Sequence, residues 1–126
     1  PQILPVLEVD FSGMPEGAPN ILDAKAKWDK DSPEYKGSKI VVANLSDELR
    51  ERIHQIALGA YRALRVRDYG RVDLRMDAEG SVYVIEVNAS CYLERNSEFA
   101  VAAKAAGIEY EDLLEKIVQL ALERKR

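Results

Sequence analysis

The spacing of hydrophobic residues predicts one long helix in the middle of the chain. Over residues 46–65, Leu, Ile and Ala recur at intervals of three and four, which is the period of one helix face. Ser46 offers an N-cap for this segment. Asp47 and Glu48 follow in the first turn, where the helix dipole favours acidic side chains. The pattern therefore indicates an amphipathic helix with one buried face.

Two further helices are predicted at the end of the chain, over residues 96–106 and 110–125. Gly107 stands between them and is the kind of residue that ends a helix in the left-handed conformation.

Four β-branched or alternating segments predict strands over residues 3–9, 39–43, 69–76 and 82–88. Pro5 places the first of these at a sheet edge or at a strand's beginning. The turn residues from Asp77 to Gly80 join the last two strands into a hairpin. Residues 10–38 are rich in Pro and Gly and predict a long loop, with a short element over 20–28.

This order of elements is typical of an α+β fold, an antiparallel sheet with helices packed on one face. A length of 126 residues suits a single domain over residues 1–126. The chain begins with Pro1, and a strand follows almost at once, so we expect it to lie inside a larger protein.

Composition narrows the classes of function. Lys and Arg total 18 against 22 Asp and Glu, for a net charge of −4. We therefore expect no nucleic-acid partner, because such a protein needs a basic face to neutralise phosphates. A single cysteine, Cys91, excludes an internal disulfide and favours the cytoplasm. No apolar run approaches the ~20 residues of a membrane span, so we expect no membrane partner.

Polar side chains line one face of the predicted hairpin. Alternation along a strand gives each strand a shared face: Arg71, Asp73 and Arg75 on the first, and Val84, Glu86 and Asn88 on the second. A four-residue loop over 78–81 sets these pairs opposite each other: Asp77 with Val82, Asp73 with Glu86, and Arg71 with Asn88.

Facing carboxylates at Asp73 and Glu86 repel each other and destabilise a sheet unless a cation lies between them. Magnesium prefers oxygen ligands and takes one or two carboxylates together with water and phosphate. Asn88 adds a carbonyl oxygen, and Arg71 adds a fixed positive fork suited to phosphate. The alternative is that Arg71 or Arg75 forms ion pairs with these acids on a solvated sheet face. The residues alone leave both interpretations open.

The hairpin contains three stretches that belong together: Tyr69-Gly70-Arg71-Val72-Asp73-Leu74, Asp77 with Gly80, and Tyr83-Val84-Ile85-Glu86-Val87-Asn88. In combination they resemble the ATP-grasp superfamily, above all the D-alanine–D-alanine ligase branch and its uncharacterised relatives. The tail is similar to the helix pair that ends those ligases, in Ala102-Ala103-Lys104-Ala105-Ala106-Gly107-Ile108 and Tyr110-Glu111-Asp112-Leu113. The resemblance is good over residues 45–126 and weak over 1–44. It implies the C-terminal subdomain of an ATP-grasp enzyme.

The resemblance implies ATP and one or two magnesium ions as cofactors, with manganese as a substitute. Asp73, Glu86 and Asn88 would hold the metal, with Glu86 bridging if two ions bind. Arg71 would steady the transferred phosphoryl group or the tetrahedral intermediate. Ile85 falls where the family has an apolar residue at the nucleotide base, although ordinary core packing explains it equally well.

Lys27 resembles the loop lysine that reaches phosphate in these ligases. Lys25 is the competing choice, and both could instead be solvated loop residues.

The reaction implied is formation of an acyl phosphate, followed by attack of an amine to form an amide. The segment after Asn88 departs from the family's Pro-Gly-Met-Thr-like sequence and reads Ala89-Ser90-Cys91-Tyr92-Leu93-Glu94-Arg95-Asn96-Ser97. This puts D-alanine in doubt and leaves small amino-acid-like substrates as the expectation. Candidate substrate contacts are Ser90, Tyr92, Arg95 and Ser97. Ser97 or Asn96 could instead cap the next helix.

Three classes of function follow. The first is a piece of an ATP-dependent carboxylate–amine ligase, which we expect to be inactive without the upstream domains of the family. The second is a non-catalytic binding or interaction module that keeps the fold, and the third is a kinase-like ATP-grasp enzyme. In a fragment, apolar surface that normally faces the missing half would favour homo-oligomers.

Overall fold

A computed structural model describes residues 1–124 of the chain. The elements, in order, are β1 (Leu7–Asp10), α1 (Ala24–Trp28), α2 (Pro33–Gly37), β2 (Lys39–Val42), α3 (Asp47–Ala63), β3 (Arg71–Met76), β4 (Val82–Asn88), α4 (Glu98–Ala105) and α5 (Tyr110–Arg124). The predicted α+β class is confirmed. The strands pair as β1 with β2 and as β3 with β4, both antiparallel, so the expected single sheet divides in two over the described chain.

Two compact units make up the described chain. The smaller unit is Val6–Ala43, and the larger unit joins Pro1–Pro5 to the described residues from Asn44 onward. Both units lie within the range that we predict to be one domain, and the single-domain assignment stays a prediction.

In the smaller unit, β1 begins at Leu7 instead of at residue 3. Pro5 lies two residues before it, and the lack of an N–H on proline limits pairing at that point. Leu7 lies opposite Val42, and Asp10 opposite Lys39. The predicted strand over 39–43 is therefore confirmed as β2.

The predicted long loop of this unit contains two short helices. Asp23 caps α1 by accepting from the Ala26 N–H at 2.9 Å, which confirms the short element over 20–28. Ser32 caps α2 by accepting from the Tyr35 N–H at 3.0 Å, and Pro33 fills the first helical position. The sequence analysis missed α2 because five residues are too few to show a helical period.

In the larger unit, α3 begins as predicted at the Ser46 cap, whose Oγ accepts from the Leu49 N–H at 3.2 Å. The helix packs against β4 and β3. At the far end of the hairpin, Arg52 Nη2 donates to the Gly80 carbonyl at 2.8 Å. Both contacts tie the hairpin to this helix.

The α4–α5 pair is joined through Gly107, which has φ +80°. The Gly107 N–H donates to the Lys104 carbonyl at 2.9 Å, and the Ile108 N–H donates to the Ala103 carbonyl at 3.0 Å. This is the Schellman arrangement, and it confirms the predicted role of glycine here. The predicted end of the last helix at residue 125 lies outside the described residues.

Two alanines and one leucine form the buried core of the α4–α5 region. Ala100, Ala103 and Leu113 are buried together, and partly buried side chains pack around them: Leu4, Phe99, Ile108, Tyr110 and Ile117. Many larger apolar side chains remain exposed, among them Leu64, Ile85, Val118 and Leu122. None of the helices formed by residues 1–124 is long and apolar enough to span a membrane.

Candidate functional site

The register of the hairpin brings the predicted polar residues face to face. Arg71 lies opposite Asn88, and Asp73 lies opposite Glu86. Both pairs are those expected from the alternation of the sequence. Directly opposite residues share a face with Cβ atoms about 5 Å apart. The four polar side chains therefore occupy one end of one face of the hairpin.

Beyond Asp73 the register shifts by one residue. Leu74 lies opposite Val84, and Met76 opposite Val82, so an extra residue, Ile85, is inserted in β4. The prediction that Val84 shares a face with Glu86 and Asn88 is therefore wrong, because the bulge reverses the alternation of side chains at Ile85.

The turn explains the shift. The Asp77 N–H donates to the Ser81 carbonyl at 3.0 Å, which leaves residues 78–80 as the loop. Gly80 has φ +85°, a conformation that suits a three-residue hairpin loop. The predicted pairing of Asp77 with Val82 is wrong for this reason.

Arg71 and Asp73 form an ion pair along β3. Arg71 Nε donates to Asp73 Oδ1 at 2.7 Å, and Nη2 donates to Oδ2 at 3.0 Å. A third nitrogen, Nη1, lies 3.9 Å from Glu98 Oε2 at the start of α4. The hydrogen bonds to Asp73 are the main cause that raises the pKa of Arg71, against the opposing effect of burial. The Arg71–Asp73 part of the alternative interpretation, ion pairing on a sheet face, is thus present.

The donor set fits a hard cation that is completed by other oxygens. Asp73 is half-buried, Glu86 is exposed and Asn88 is half-buried. Asn88 Oδ1 accepts from the Ser90 N–H at 3.0 Å, and a carbonyl oxygen has a second lone pair. Within residues 1–124, His, Cys, Asp and Glu form no metal-binding group of three or more. Magnesium needs no such cage, since one or two carboxylates with phosphate and water suffice.

The loop after Asn88 separates the candidate substrate residues into two kinds. Ser90 and Tyr92 are exposed. Arg95 instead pairs with Glu111 at 2.7 Å, and Ser97 caps α4 by accepting from the Ala100 N–H at 3.4 Å. The predicted capping role of Ser97 is confirmed.

Cys91 lies on the inner side of this loop and is 4 % exposed. Burial raises the pKa of its thiol, and the nearby Arg71 guanidinium acts in the opposite direction. The thiol is therefore present mainly in its protonated form at neutral pH.

The two remaining candidates lie on different elements. Lys27, like Lys25, is exposed on α1 of the smaller unit. Ile85 is the extra residue of the β4 bulge and is 63 % exposed, so core packing does not explain it in the described chain.

Two residues near the site were missed by the sequence analysis. Glu98 approaches Arg71 from a helix start that the sequence marks only as an acidic first turn. Tyr110 OH donates to the Leu93 carbonyl at 2.6 Å, a contact between residues 17 apart. Tertiary contacts of this kind leave no local pattern.

Comparison with known proteins agrees with the fold. Residues 1–119 match the family described as "D-ala D-ala ligase C-terminus". A D-alanine–D-alanine ligase from Pelotomaculum thermopropionicum is 32% identical over 123 residues, which cover 98% of this chain and 36% of the relative. The chain therefore spans about a third of the length of the curated relatives that it matches.

Solved structures show the same likeness. The D-alanine–D-alanine ligase of Bacillus anthracis superposes with a TM-score of 0.73 at 32% identity, covering 95% of this chain and 36% of that one. The same enzyme complexed with ATP gives a TM-score of 0.65 at 35% identity, over 68% of this chain and 30% of that one. The chain belongs to the family of the D-alanine–D-alanine ligase C-terminal domain.

Proposed function

We propose that this chain supplies the magnesium and phosphate side of the active site of an ATP-dependent carboxylate–amine ligase. The observation that carries the proposal is the face shared by Arg71, Asp73, Glu86 and Asn88, in a chain of this family. The family's ATP-complexed neighbour supports ATP as the nucleotide.

Three oxygen-bearing side chains would hold the metal: Asp73, Glu86 and Asn88. One or two magnesium ions, or manganese, would neutralise charge on the ATP phosphates when bound. Glu86 is exposed and can present both oxygens, which suits a bridging role if two ions bind. Contact of Lys27, or of the competing Lys25, with phosphate stays a prediction, and Ile85 would contact the base. Ser90 and Tyr92 would contact the substrate from the exposed part of the loop.

Arg71 has a further role in this proposal. Asp73, if it held a metal, would weaken its two hydrogen bonds to the Arg71 guanidinium. Arg71 would then donate to the transferred phosphoryl group, with its Nη1 3.9 Å from Glu98 Oε2. A planar guanidinium is suited to a phosphoryl group because its parallel N–H groups match two oxygens at once.

The chemistry has two steps. A substrate carboxylate oxygen attacks the γ-phosphorus of ATP, and ADP leaves, which forms an acyl phosphate. The amine then attacks the acyl carbon, inorganic phosphate leaves, and an amide forms with loss of a proton. The protein positions the reactants and neutralises charge throughout. The altered segment from Ala89 to Ser97 leaves the two substrates as small amino-acid-like molecules.

A non-catalytic binding module is the second candidate. The observation in its favour is that Arg71 and Asp73 satisfy each other without any ligand. Self-association through the exposed apolar side chains and a cytoplasmic location remain predictions.

The test uses the complete open reading frame that encodes these residues. ATP-to-ADP conversion is measured with a panel of amino acids and small carboxylates, in magnesium and then in manganese. We expect turnover that an amino acid stimulates, together with an amide product by mass spectrometry. Magnesium-ATP binding without amino-acid-stimulated turnover would instead support the binding module and overturn the ligase.

A further inference from the structure

The loop from Ala89 to Asn96 is held against α5 by a partly buried hydrogen bond. Tyr110, the first residue of α5, donates its hydroxyl hydrogen to the Leu93 carbonyl at 2.6 Å. The Tyr110 ring packs at the edge of the buried cluster around Ala103 and Leu113. A tyrosine with its ring in a core and its hydroxyl on a loop carbonyl has little freedom to move. Leu93 is therefore fixed relative to the helix pair.

Arg95 adds a second contact at the same place. Its guanidinium carbon lies 4.4 Å from the centroid of the Tyr110 ring, and its Nη2 lies 2.7 Å from Glu111 Oε1. Both charged side chains are mostly exposed, so their ion pair contributes little by itself. The stacked guanidinium nevertheless covers the ring, and the Tyr110 hydroxyl remains the main restraint.

The start of the same loop is joined to the candidate active site, because the Ser90 N–H donates to Asn88 Oδ1 at 3.0 Å. Cys91 is buried two residues before Leu93. Ser90 and Tyr92 flank Cys91 and are exposed. A displacement of Leu93 would therefore move the two candidate substrate contacts relative to Arg71.

We propose that Tyr110 is a positioning residue for the substrate contacts of this site. Its hydrogen bond to Leu93 sets the path of the loop that carries Ser90 and Tyr92. This inference rests on the proposed ligase function. The role concerns mainly the amino-acid substrate, because the proposed metal ligands Asp73 and Glu86 lie on the hairpin before the loop begins, whereas Asn88 accepts from the Ser90 N–H of the loop.

The first experiment measures loop opening without reference to activity. Cys91 is the single cysteine among the 126 residues and is buried in the loop. The rate at which iodoacetamide alkylates its thiol therefore reports how often the loop opens and exposes it. The rate is followed by mass spectrometry of the Cys91 peptide in the complete protein. We expect Tyr110→Phe to raise the rate about fivefold, the effect of losing one hydrogen bond.

Tyr83→Phe is the matched control for that experiment. It removes another tyrosine hydroxyl, which donates to Asp77 Oδ2 at 3.2 Å in the hairpin turn. We expect this variant to leave the alkylation rate unchanged. Equal rates for Tyr110→Phe and the parent protein, with both folded by circular dichroism, would overturn the restraint. Glu111→Gln, which keeps the tyrosine hydroxyl, should give a smaller increase than Tyr110→Phe.

The second experiment measures steady-state kinetics in the complete protein. We expect Tyr110→Phe to raise KM for the amino-acid substrate about fivefold and to change KM for ATP less than twofold. If the parent protein is active and Tyr110→Phe has the same KM for the amino-acid substrate, the positioning role of Tyr110 is overturned and the ligase function is not. A parent without amino-acid-stimulated turnover would overturn the ligase, and this result is visible before any variant is made.

Discussion

Two aspartates on the same hairpin, Asp73 and Asp77, have opposite surroundings. Asp77 Oδ1 accepts from the backbone N–H groups of Glu79 and Ser81 at 3.1 and 2.8 Å, and its Oδ2 accepts from the Tyr83 hydroxyl at 3.2 Å. Asp73 instead accepts hydrogen bonds from the side chain of Arg71 and lies opposite another acid.

The difference separates a structural acid from a candidate ligand. Backbone N–H groups in a turn cannot leave Asp77 without unfolding the turn. A guanidinium on a flexible side chain can leave Asp73 when a stronger cation arrives. We therefore expect the substitution of aspartate by asparagine to weaken magnesium-ATP binding at position 73 and to leave it unchanged at position 77.

The largest effect is expected from Asp73→Asn. The amide keeps the size of the side chain but removes the charge that a metal needs. We expect the affinity for magnesium-ATP in the complete protein to fall about 100-fold. Removing a residue that only supports a metal ligand costs about 10- to 100-fold, and loss of a ligand itself should reach at least the upper end of that range. Isothermal titration calorimetry measures the change.

Asp77→Asn is the matched control for Asp73→Asn, with the same atoms changed on the same hairpin. Its affinity for magnesium-ATP should stay within about twofold of the parent. Equal losses of affinity in the two variants would remove the distinction between the two aspartates and with it the metal role of Asp73.

The sequence predicts those features of the site that depend only on the alternation of side chains along a strand. The pairs Arg71–Asn88 and Asp73–Glu86 follow from strand periodicity and a turn of roughly the right length. The bulge at Ile85 does not follow, because it depends on the left-handed Gly80 and on a three-residue loop. Two errors of one residue cancel here: the loop is shorter than predicted and the bulge restores the register near Asp73.

Long-range contacts lie outside what the sequence can predict. Glu98 meets Arg71, and Tyr110 meets Leu93, because α4 and α5 pack where they do. The division of the strands into two sheets is also a tertiary outcome. By contrast, the helix starts at Ser46 and Ser97 were predictable, since capping is a local interaction between a side chain and the N–H three residues on.

Asp77→Ala should affect stability instead of binding. It removes three hydrogen bonds in the turn, and we expect a loss of about 1–3 kcal/mol in the local free energy of opening. Hydrogen exchange of the amide groups over residues 77–83 measures this loss. Unchanged protection at Ser81 would show that the turn is held by the Gly80 conformation and the strand pairing without the carboxylate.

The smallest expected effect is that of Glu86→Gln. It tests the surroundings of Asp73 most directly, because it isolates the repulsion between Asp73 and the facing Glu86. Glu86→Gln leaves one carboxylate on the face, so we expect the hairpin to become more stable by about 0.5 kcal/mol in the absence of magnesium. Glu79→Gln, the same change in the exposed turn, should have no such effect. With magnesium-ATP present the order should reverse, because Glu86→Gln then lacks a ligand while Glu79→Gln binds normally. Chemical denaturation of each variant with and without magnesium-ATP measures both differences. A Glu86→Gln variant that loses stability without magnesium would show that Glu86 is already compensated within the chain, and the repulsion would no longer be an argument for a cation at this site.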